Sequence, residues 1–367
     1  MKSACFLLLS LITFWAKGDY LIASRASTLK LEASSSSDIL THIDKGVALA
    51  LLDDGEQTEG YYKVIAPDGT EGWIYRTLVR RYKGSIGEAP SSSVGTTPSG
   101  TAPKLTLQSA FPPTKPGDVI VTHKEFTSCM SSKYLLPRWV GHKISSELLD
   151  GPGARSGSTY PSDPLFPGIK GNAYNSSGYD HGHLAPAGDF KRSQEATDDS
   201  FMMTNMTPQH GCMNQKGWCV LESNVRHWAR QNPTSAFYLF SGPILSDFID
   251  SLCINNTTTV YVPGQFYKVV VEQTANGTVR GAGFLVANGN VEFADLAGGK
   301  VSIDEIELMT GLNFMPSLNK TQEAAIENKI FNYELQNLPE CGGSKSCDGI
   351  YSQRVRPEGR KQLKCKP

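Results

Sequence analysis

The segment Tyr179–Phe190 reads Tyr-Asp-His-Gly-His-Leu-Ala-Pro-Ala-Gly-Asp-Phe, and the interpretation of the whole chain starts from it. His181 and His183 flank Gly182, directly after Asp180. Glycine permits a backbone turn that other residues resist, so the neighbouring side chains can be directed into a cleft. A neutral imidazole accepts a proton near pH 7. Taken alone, the segment fits a catalytic turn or an ordinary surface turn with two histidines.

A second pattern follows within forty residues. A carboxamide, an indole, a carboxylate and a guanidinium recur at every fourth position, at Asn214, Trp218, Glu222 and Arg226. In a helix, positions i, i+4 and i+8 lie along one slowly drifting stripe, so these four side chains share a face. A helix that packs this face on a core would carry an apolar stripe there instead. The pattern is typical of a solvated helix face or of one wall of an active site.

Together these segments resemble the DNA/RNA non-specific endonucleases of the ββα-metal group. That family carries Asp-Arg-Gly-His, an Asn-x-x-x-Gln segment and Asn-x-x-x-Trp-x-x-x-Glu. The matching segments of this chain are residues 180–183, 205–209 and 214–222. The resemblance covers roughly Pro116 to Pro339, and one departure is that His181 stands where the family usually has arginine.

The resemblance implies an α+β fold, a ββα-metal nuclease domain with a mixed, mainly antiparallel sheet. Six strands are expected, at Asp118–His123, Lys133–Val140, Phe237–Gly242, Thr258–Pro263, Tyr267–Gln273 and Gly281–Val286. Three helices are expected, at Phe190–Thr197, Asn214–Arg230 and Ser302–Thr310. Helices packed on a mainly antiparallel sheet are one of the few stable layer arrangements.

The resemblance also assigns roles for phosphodiester hydrolysis. His183 is the expected general base that activates water. Asn214 matches the family's direct protein ligand of a hydrated metal ion. An amide oxygen and waters suit Mg²⁺, with Mn²⁺ or Ca²⁺ as substitutes. Glu222 is expected to hold metal-bound waters, and Arg155 lies in the region where the family places a phosphate-binding arginine.

Four further residues are predicted on the substrate side of the site. Asn205 and Gln209 are expected to orient neighbouring groups and the substrate. Arg226 is expected to pair with Glu222, four residues before it. His181 is expected to act as a neutral hydrogen-bonding group rather than a cation. An alternative is that His181 and His183 form a His-x-His zinc pair, although no cysteine or acidic residue is spaced to complete it.

The ends of the chain carry other signals. Residues 1–18 combine Lys2, the apolar run Cys5–Trp15 and a small-x-small site, which predicts a cleaved signal peptide and a secreted, extracellular protein. No run is long enough to span a bilayer. Of the eight cysteines, Cys5 lies in this signal, which leaves seven as expected disulfide partners, and because seven is odd at least one is expected to be free or to pair between chains. A Cys-containing tail, residues 341–367, carries three of them.

Residues 19–82 show short alternating runs separated by turn signals such as Pro67-Asp68-Gly69. This all-β pattern is similar to bacterial-type SH3 domains, whose ligand here is unknown. Residues 83–115 are rich in Ser, Thr, Gly and Pro and are expected to be a flexible linker before the nuclease domain at 116–340. Sequons that predict a glycoprotein occur at Asn175, Asn255, Asn256, Asn276 and Asn319, and Asn205 also fits the pattern but is expected to be bare.

The formal net charge of −1 gives no indication of a polyanion-coating protein, although it allows a locally basic cleft. The predicted function is a secreted, Mg²⁺-dependent, largely sequence-independent endonuclease of DNA and RNA that leaves 5′-phosphate ends. Two alternatives remain at this point: an inactive nucleic-acid or cell-wall binding protein, and a zinc-dependent hydrolase. The pattern leaves the oligomeric state open.

Overall fold

The computed structural model describes residues 20–23, 27–34, 37–44, 47–82, 105–155, 157, 159–254, 257–291 and 293–338. The chain divides into two compact units, residues 1–99 and 100–367, each of which is described by itself. The predicted signal peptide at 1–18, the linker up to residue 104 and the predicted tail at 341–367 lie outside the described residues.

The N-terminal unit is all β, as predicted. Its strands are β1 (Tyr20–Ala23), β2 (Ser27–Lys30), β3 (Ile39–Ile43), β4 (Ala48–Leu51), β5 (Gln57–Thr58), β6 (Tyr61–Ile65), β7 (Glu71–Tyr75) and β8 (Val79–Tyr82). They pair in the order β3-β2-β7-β6-β4-β1-β8, with β5 on β6. Leu21, Leu49 and Val64 are fully buried in its core. The SH3-like assignment of this unit stays a prediction.

The C-terminal unit is built on a seven-stranded antiparallel sheet. Its strands are β9 (Asp118–Thr122), β10 (Phe126–Ser131), β11 (Leu136–Ile144), β14 (Ala236–Pro243), β17 (Gln265–Gln273), β18 (Val279–Ala287) and β19 (Lys300–Val301), in the order β19-β18-β17-β14-β11-β10-β9. Two hairpins lie outside the sheet, β12 (Asp180–His183) with β13 (Met206–Gln209) and β15 (Phe248–Ile254) with β16 (Thr258–Pro263). The predicted α+β, mainly antiparallel fold is confirmed.

Helices cover both faces of this sheet. They are α1 (Gln194–Asp199), α2 (Cys219–Gln231), α3 (Phe293–Gly298), α4 (Ile303–Thr310) and α5 (Lys320–Glu327). Strand residues alternate between faces. On β17, Phe266 and Val270 pack with α2, whereas Tyr267 and Val269 pack with α4. No helix in the described part of the chain combines the length and the apolar character that a bilayer crossing needs.

Residues 105–115 differ from the predicted linker. Leu105 is 2% exposed, and its carbonyl accepts a hydrogen bond from the Tyr238 hydroxyl at 2.6 Å. Phe111 contacts Trp139 with 4.9 Å between ring centroids. The folded unit therefore begins before Pro116, because these apolar side chains cover the sheet face that α4 shares.

The helix predicted at Asn214–Arg230 is present but irregular. Its first part, Met213–Trp218, is a π-helical turn, and α2 continues from Cys219. A π turn widens the helix and is frequent at functional sites.

Four of the cysteines lie in the described part of the chain. Cys212, Cys219 and Cys253 are disulfide-bonded, whereas Cys129 is buried and has a free thiol.

Candidate active site

The β12–β13 hairpin places the two histidines. Asp180 pairs with Gln209, and His183 pairs with Met206. A β-carbon added to Gly182 would lie 2.0 Å from Cδ of Gln209. Only glycine allows so close an approach of the strand backbone to a buried side chain. The hairpin therefore explains the Asp-His-Gly-His sequence by packing as well as by chemistry.

His183 is a neutral, partly enclosed base. Its Nε2 is shielded from solvent and has no hydrogen-bond partner among the described residues. Its ring meets Phe201 edge to face at 4.8 Å, and its backbone carbonyl accepts a hydrogen bond from the Trp218 indole N–H at 3.1 Å. Burial, with smaller contributions from Arg155 and His181, lowers the pKa of His183 to about 3. The imidazole is therefore unprotonated at neutral pH and able to accept a proton.

Arg155 supplies positive charge beside this base. Its guanidinium lies 5.3 Å from the centroid of the Phe201 ring, which also contacts His183. The same guanidinium donates to the Tyr160 hydroxyl at 3.3 Å and to the Gly157 carbonyl at 3.3 Å. Arg155 is exposed and makes no ion pair with a carboxylate in the described part of the chain. Its remaining donors are thus available to an anionic ligand such as a phosphate.

The candidate metal ligand is held by the strand that carries the base. Asn214 donates from Nδ2 to Oδ2 of Asp180 at 3.0 Å, and Gln215 donates from Nε2 to the same oxygen at 2.8 Å. Since the amide nitrogen of Asn214 is committed to a carboxylate, its Oδ1 is the atom left for a cation. An oriented amide oxygen suits a hard, hydrated ion such as Mg²⁺.

Glu222 lies on α2 and points into the same buried region. Its Oε1 is shielded from solvent without a hydrogen-bond partner among the described residues. Burial raises the pKa of Glu222 to about 7, against the opposing effects of Lys268 and Arg226. A buried carboxylate oxygen without a partner requires an explanation, and the waters of a hydrated metal ion are a fitting one.

The structure contradicts the substrate-binding role predicted for Asn205. Its side chain is fully buried, and all its hydrogen-bonding atoms are used within the protein. Nδ2 donates to the carbonyls of Ala185 at 2.7 Å and Ser200 at 2.8 Å, and Oδ1 accepts from the Ala185 N–H at 2.9 Å. Asn205 therefore supports the loop that follows His183. That Asn205 carries no glycan stays a prediction.

Gln209 and His181 are also inside the protein rather than on its substrate side. Gln209 is fully buried beneath Gly182 and donates from Nε2 to Oγ1 of Thr207 at 3.2 Å. His181 is 9% exposed, and its ring stacks on Tyr160 at 4.1 Å between centroids. Both side chains are held by packing, which corrects the prediction that they contact substrate.

The protonation state expected for His181 agrees with its environment. Its Nε2 accepts a hydrogen bond from the backbone N–H of Tyr174 at 3.2 Å, which requires an unprotonated nitrogen. Burial is the main reason that the pKa of His181 falls to about 4. The side chain is thus a neutral hydrogen-bond acceptor, although its partner is the protein backbone.

The guanidinium of Arg226 binds other side chains of the protein. Its guanidinium pairs with Oδ1 of Asp189 at 3.1 Å and donates to Oγ of Ser223 at 3.0 Å. Asp189 also contacts Nε2 of His142 at 2.9 Å. The substrate contact predicted for Arg226 is therefore contradicted, because a buried carboxylate 37 residues away in the sequence holds its charge.

Sequence reasoning missed Lys268 and the Asp189–His142 pair. Lys268 is 1% exposed, although it belongs to the apolar strand β17. A lysine between apolar residues in a central strand was the available signal, since lysine is almost never fully buried unless it is paired.

The zinc alternative has no support in the geometry. Within the described residues, the only group of three or more His, Cys, Asp or Glu side chains with suitably close ligand atoms is Asp304, Glu307 and Glu327. That group includes neither His181 nor His183. A structural or catalytic zinc site needs at least three protein ligands.

A β-hairpin bearing a neutral histidine lies next to a helix bearing an oriented asparagine amide, the arrangement that the resemblance to ββα-metal nucleases predicts. A model of the DNA/RNA non-specific endonuclease family matches residues 106–321. The chain belongs to this family. The match confirms both the predicted family and the prediction of a nuclease-class enzyme.

Individual relatives agree with the family match. A nuclease of Syncephalastrum racemosum is 33% identical over 214 residues, which cover 53% of this chain and 66% of that protein. The mitochondrial nuclease of Saccharomyces cerevisiae is 32% identical over 59% of this chain and 71% of that protein. The match to the mitochondrial nuclease EXOG of Danio rerio, 32% identical, spans 57% of that protein. The chain thus spans between about half and three quarters of these relatives.

A solved structure shows the same fold. A chain in the crystal structure of the EndoG/EndoGI complex superposes with a TM-score of 0.52 at 24% identity, covering 61% of this chain and 95% of that chain. At this identity the likeness concerns the fold alone.

The predicted secreted, extracellular location is wrong on this comparison. Several of the matched relatives are mitochondrial nucleases, including those of Saccharomyces cerevisiae and Danio rerio. The prediction of secretion depended on the basic and apolar composition of residues 1–18, and that composition alone does not define a compartment.

Proposed function

We propose that this protein is a Mg²⁺-dependent endonuclease that hydrolyses phosphodiester bonds of DNA and RNA with little sequence preference and leaves 5′-phosphate ends. One observation carries the proposal: strand β12 places the neutral base His183 and, through Asp180, orients the amide of Asn214. One short strand thus holds both the imidazole proposed as proton acceptor and the amide proposed as metal ligand. The family match and the nuclease relatives support the same reaction class.

In the proposed reaction His183 removes a proton from the attacking water. Arg155 binds a non-bridging phosphate oxygen through its fork of N–H donors. Asn214 would hold the metal ion through Oδ1, and Glu222 would accept hydrogen bonds from metal-bound waters. When bound, the ion stabilises charge on the phosphorane-like transition state and on the leaving oxygen. Asn205 and Gln209 keep the hairpin in place without touching the substrate.

The N-terminal unit is proposed to be an SH3-like accessory domain at residues 19–82 with a ligand of its own. None of the proposed catalytic residues lies in it. The activity is therefore assigned to the C-terminal unit, within the proposed domain boundaries of 116–340 and the preceding packed segment.

The test is incubation of the full chain with plasmid DNA and with structured RNA, in Mg²⁺, Mn²⁺, Ca²⁺ or EDTA. We expect cleavage of both substrates with Mg²⁺ and none with EDTA. The products should accept a radioactive 5′ phosphate from polynucleotide kinase only after phosphatase treatment, because their 5′ ends are already phosphorylated.

The base is tested with His183→Ala, which should lower the cleavage rate by at least ~10²-fold, the usual scale for a general base. The matched control is His42→Ala, since His42 is an exposed histidine of the N-terminal unit. A folded His183→Ala protein that cleaves DNA at nearly the normal rate refutes the assignment.

A further inference from the structure

Lys268 is a buried cation at the centre of the sheet, directly beneath the candidate site. It lies on β17, where it pairs with Ser241 of β14 and Phe284 of β18. Its side chain is 1% exposed and lies on the face that Phe266 and Val270 present to the core beneath α2. Burying a lysine is costly unless its charge and its N–H groups are compensated. The neighbours of Nζ therefore indicate why the residue is there.

Nζ of Lys268 contacts the backbone next to His183. Nζ donates to Oγ of Ser241 at 2.6 Å and lies 3.4 Å from the carbonyl oxygen of Leu184, the residue after His183. It also lies 4.5 Å from the centroid of the Trp218 ring. The indole N–H of that ring donates to the carbonyl of His183. Lys268 and Trp218 thus hold two consecutive carbonyls at the end of β12.

Glu222 is one of two carboxylates whose charge influences Lys268. Nζ lies 4.5 Å from the centroid of the Trp218 ring, four residues before Glu222 on the same helical stripe. Both carboxylates raise the pKa of Lys268, Glu222 with the larger effect and Asp189 with the smaller. Asp189 already receives the guanidinium of Arg226 at 3.1 Å and the imidazole of His142 at 2.9 Å. Glu222 has no ion pair within 4.0 Å in the described part of the chain, and its Oε1 is buried without a hydrogen-bond partner. Lys268 is thus the main counter-charge for Glu222, and it acts at longer range than a direct ion pair.

Both groups show this balance in their protonation. Burial raises the pKa of Glu222 to about 7, and Lys268 is the strongest influence in the opposite direction. Burial lowers the pKa of Lys268, and Glu222 is the strongest influence that raises it. Each group therefore favours the charged form of the other. Removing the lysine would leave a carboxylate whose burial has lost its main compensation.

We propose that Lys268 is a positioning residue of the nuclease site, which anchors the His183–Leu184 backbone and provides the counter-charge that keeps Glu222 available to metal-bound water. The inference depends on the proposed function for the role of Glu222. It does not depend on that function for the coupling between the two side chains. Lys268 itself touches neither substrate nor metal in this scheme.

The first experiment compares Lys268→Met with Lys143→Met in the full chain. Lys143 is an exposed lysine on β11 of the same sheet, so it controls for the loss of a lysine charge. Mn²⁺ binding is measured directly by titration with electron paramagnetic resonance detection, which needs no catalysis. We expect Lys268→Met to weaken Mn²⁺ binding about tenfold, within the usual range for coupled groups. We expect kcat to fall at least as much, while KM for DNA changes less than about twofold. Lys143→Met should change neither quantity.

A double-mutant cycle with Glu222→Gln separates a role in charge from a role in packing. If Lys268 acts as the counter-charge of Glu222, Lys268→Met should change Mn²⁺ binding less than about twofold in the Glu222→Gln background. An unchanged tenfold effect in that background overturns the proposed coupling. Wild-type Mn²⁺ affinity and kcat in Lys268→Met overturn the proposal as a whole.

Separate measurements cover the cases in which Lys268→Met does not fold or the unmodified protein is inactive. If Lys268→Met does not fold, the double variant removes both charges and should recover folding, and a double variant that also fails to fold overturns the proposal. If the unmodified protein neither binds Mn²⁺ nor cleaves DNA, the proposed function fails. The same cycle measured by urea unfolding then still tests the inference, and additive effects of the two substitutions overturn it.

Discussion

Replacing Gly182 by alanine tests whether the Asp-His-Gly-His segment is shaped by packing. An added β-carbon would lie 2.0 Å from Cδ, 2.1 Å from Oε1 and 2.4 Å from Cγ of Gln209. Real β-carbons essentially never approach another heavy atom within 3.0 Å, so the alanine overlaps three atoms at once. Gln209 is fully buried and cannot swing into solvent without opening the β12–β13 hairpin. Overpacking of this kind costs about 1–3 kcal/mol of the free energy of unfolding.

The displacement should also reach the chemistry. His183 follows Gly182 directly, and a shift of β12 moves the base relative to Asn214, which the same strand orients through Asp180. Misplacement by about 1 Å can cost about 10²-fold in rate. We therefore expect Gly182→Ala to lower both the urea midpoint and the cleavage rate per folded molecule.

The assay is equilibrium urea unfolding together with initial rates of plasmid cleavage. Gly289→Ala is the matched control, because a β-carbon there has no heavy atom within 4 Å, and its effect should stay within about 0.5 kcal/mol. In the Gln209→Ala background the clash is removed, so Gly182→Ala should cost less than half as much as it does alone. A Gly182→Ala protein with wild-type stability, or effects that add fully with Gln209→Ala, would refute the reasoning.

Three further predictions concern the metal ligand, pH and the domain boundary. Asp180→Asn removes the carboxylate that orients the amide ligand and should weaken Mn²⁺ binding about 10–100-fold without unfolding the protein, as measured by calorimetric titration. His181 and His183 are neutral in the fold, with pKa values lowered to about 4 and about 3, but take up protons when unfolded below about pH 6.5. At these two groups the unfolded state then binds more protons, which lowers stability as pH falls by at most about 1.4 kcal/mol per pH unit for each histidine. Glu222, whose pKa is raised to about 7, acts in the opposite direction but offsets only one of the two. Urea unfolding between pH 7 and pH 4 should therefore show stability falling as pH falls, and stability that rises over this range contradicts the prediction. A fragment starting at Gly100 should fold and cleave DNA, whereas one starting at Pro116 should show a lower melting temperature, because it lacks the packed segment that covers the sheet.

Much of the candidate site follows from local sequence. The motifs at residues 180–183 and 214–222 predicted the family, and the resemblance in turn implied that His183 is the base and Asn214 the metal ligand, which stays a prediction. The shared face of the second motif follows from helical periodicity. Five of the seven strands of the sheet were expected from the sequence, whereas β10 and β19 were not, and the expected strand at Thr258–Pro263 belongs to a separate hairpin. Such signals depend on only a few consecutive residues, so no knowledge of the tertiary structure was needed.

The direction of each side chain depended on contacts between distant segments. Asn205 and Gln209 share the motif spacing, yet they face the interior, since the hairpin partners of β13 come from residues 180–183. Arg226 was predicted to pair within its helix, but Asp189 binds it from another element. Lys268 is isolated in its strand by sequence, and only the fold brings it to Leu184, 84 residues earlier. Sequence periodicity predicts which residues share one face of a helix or strand. Whether that face is buried, and which charges pair there, depends on the other helices and strands that cover it.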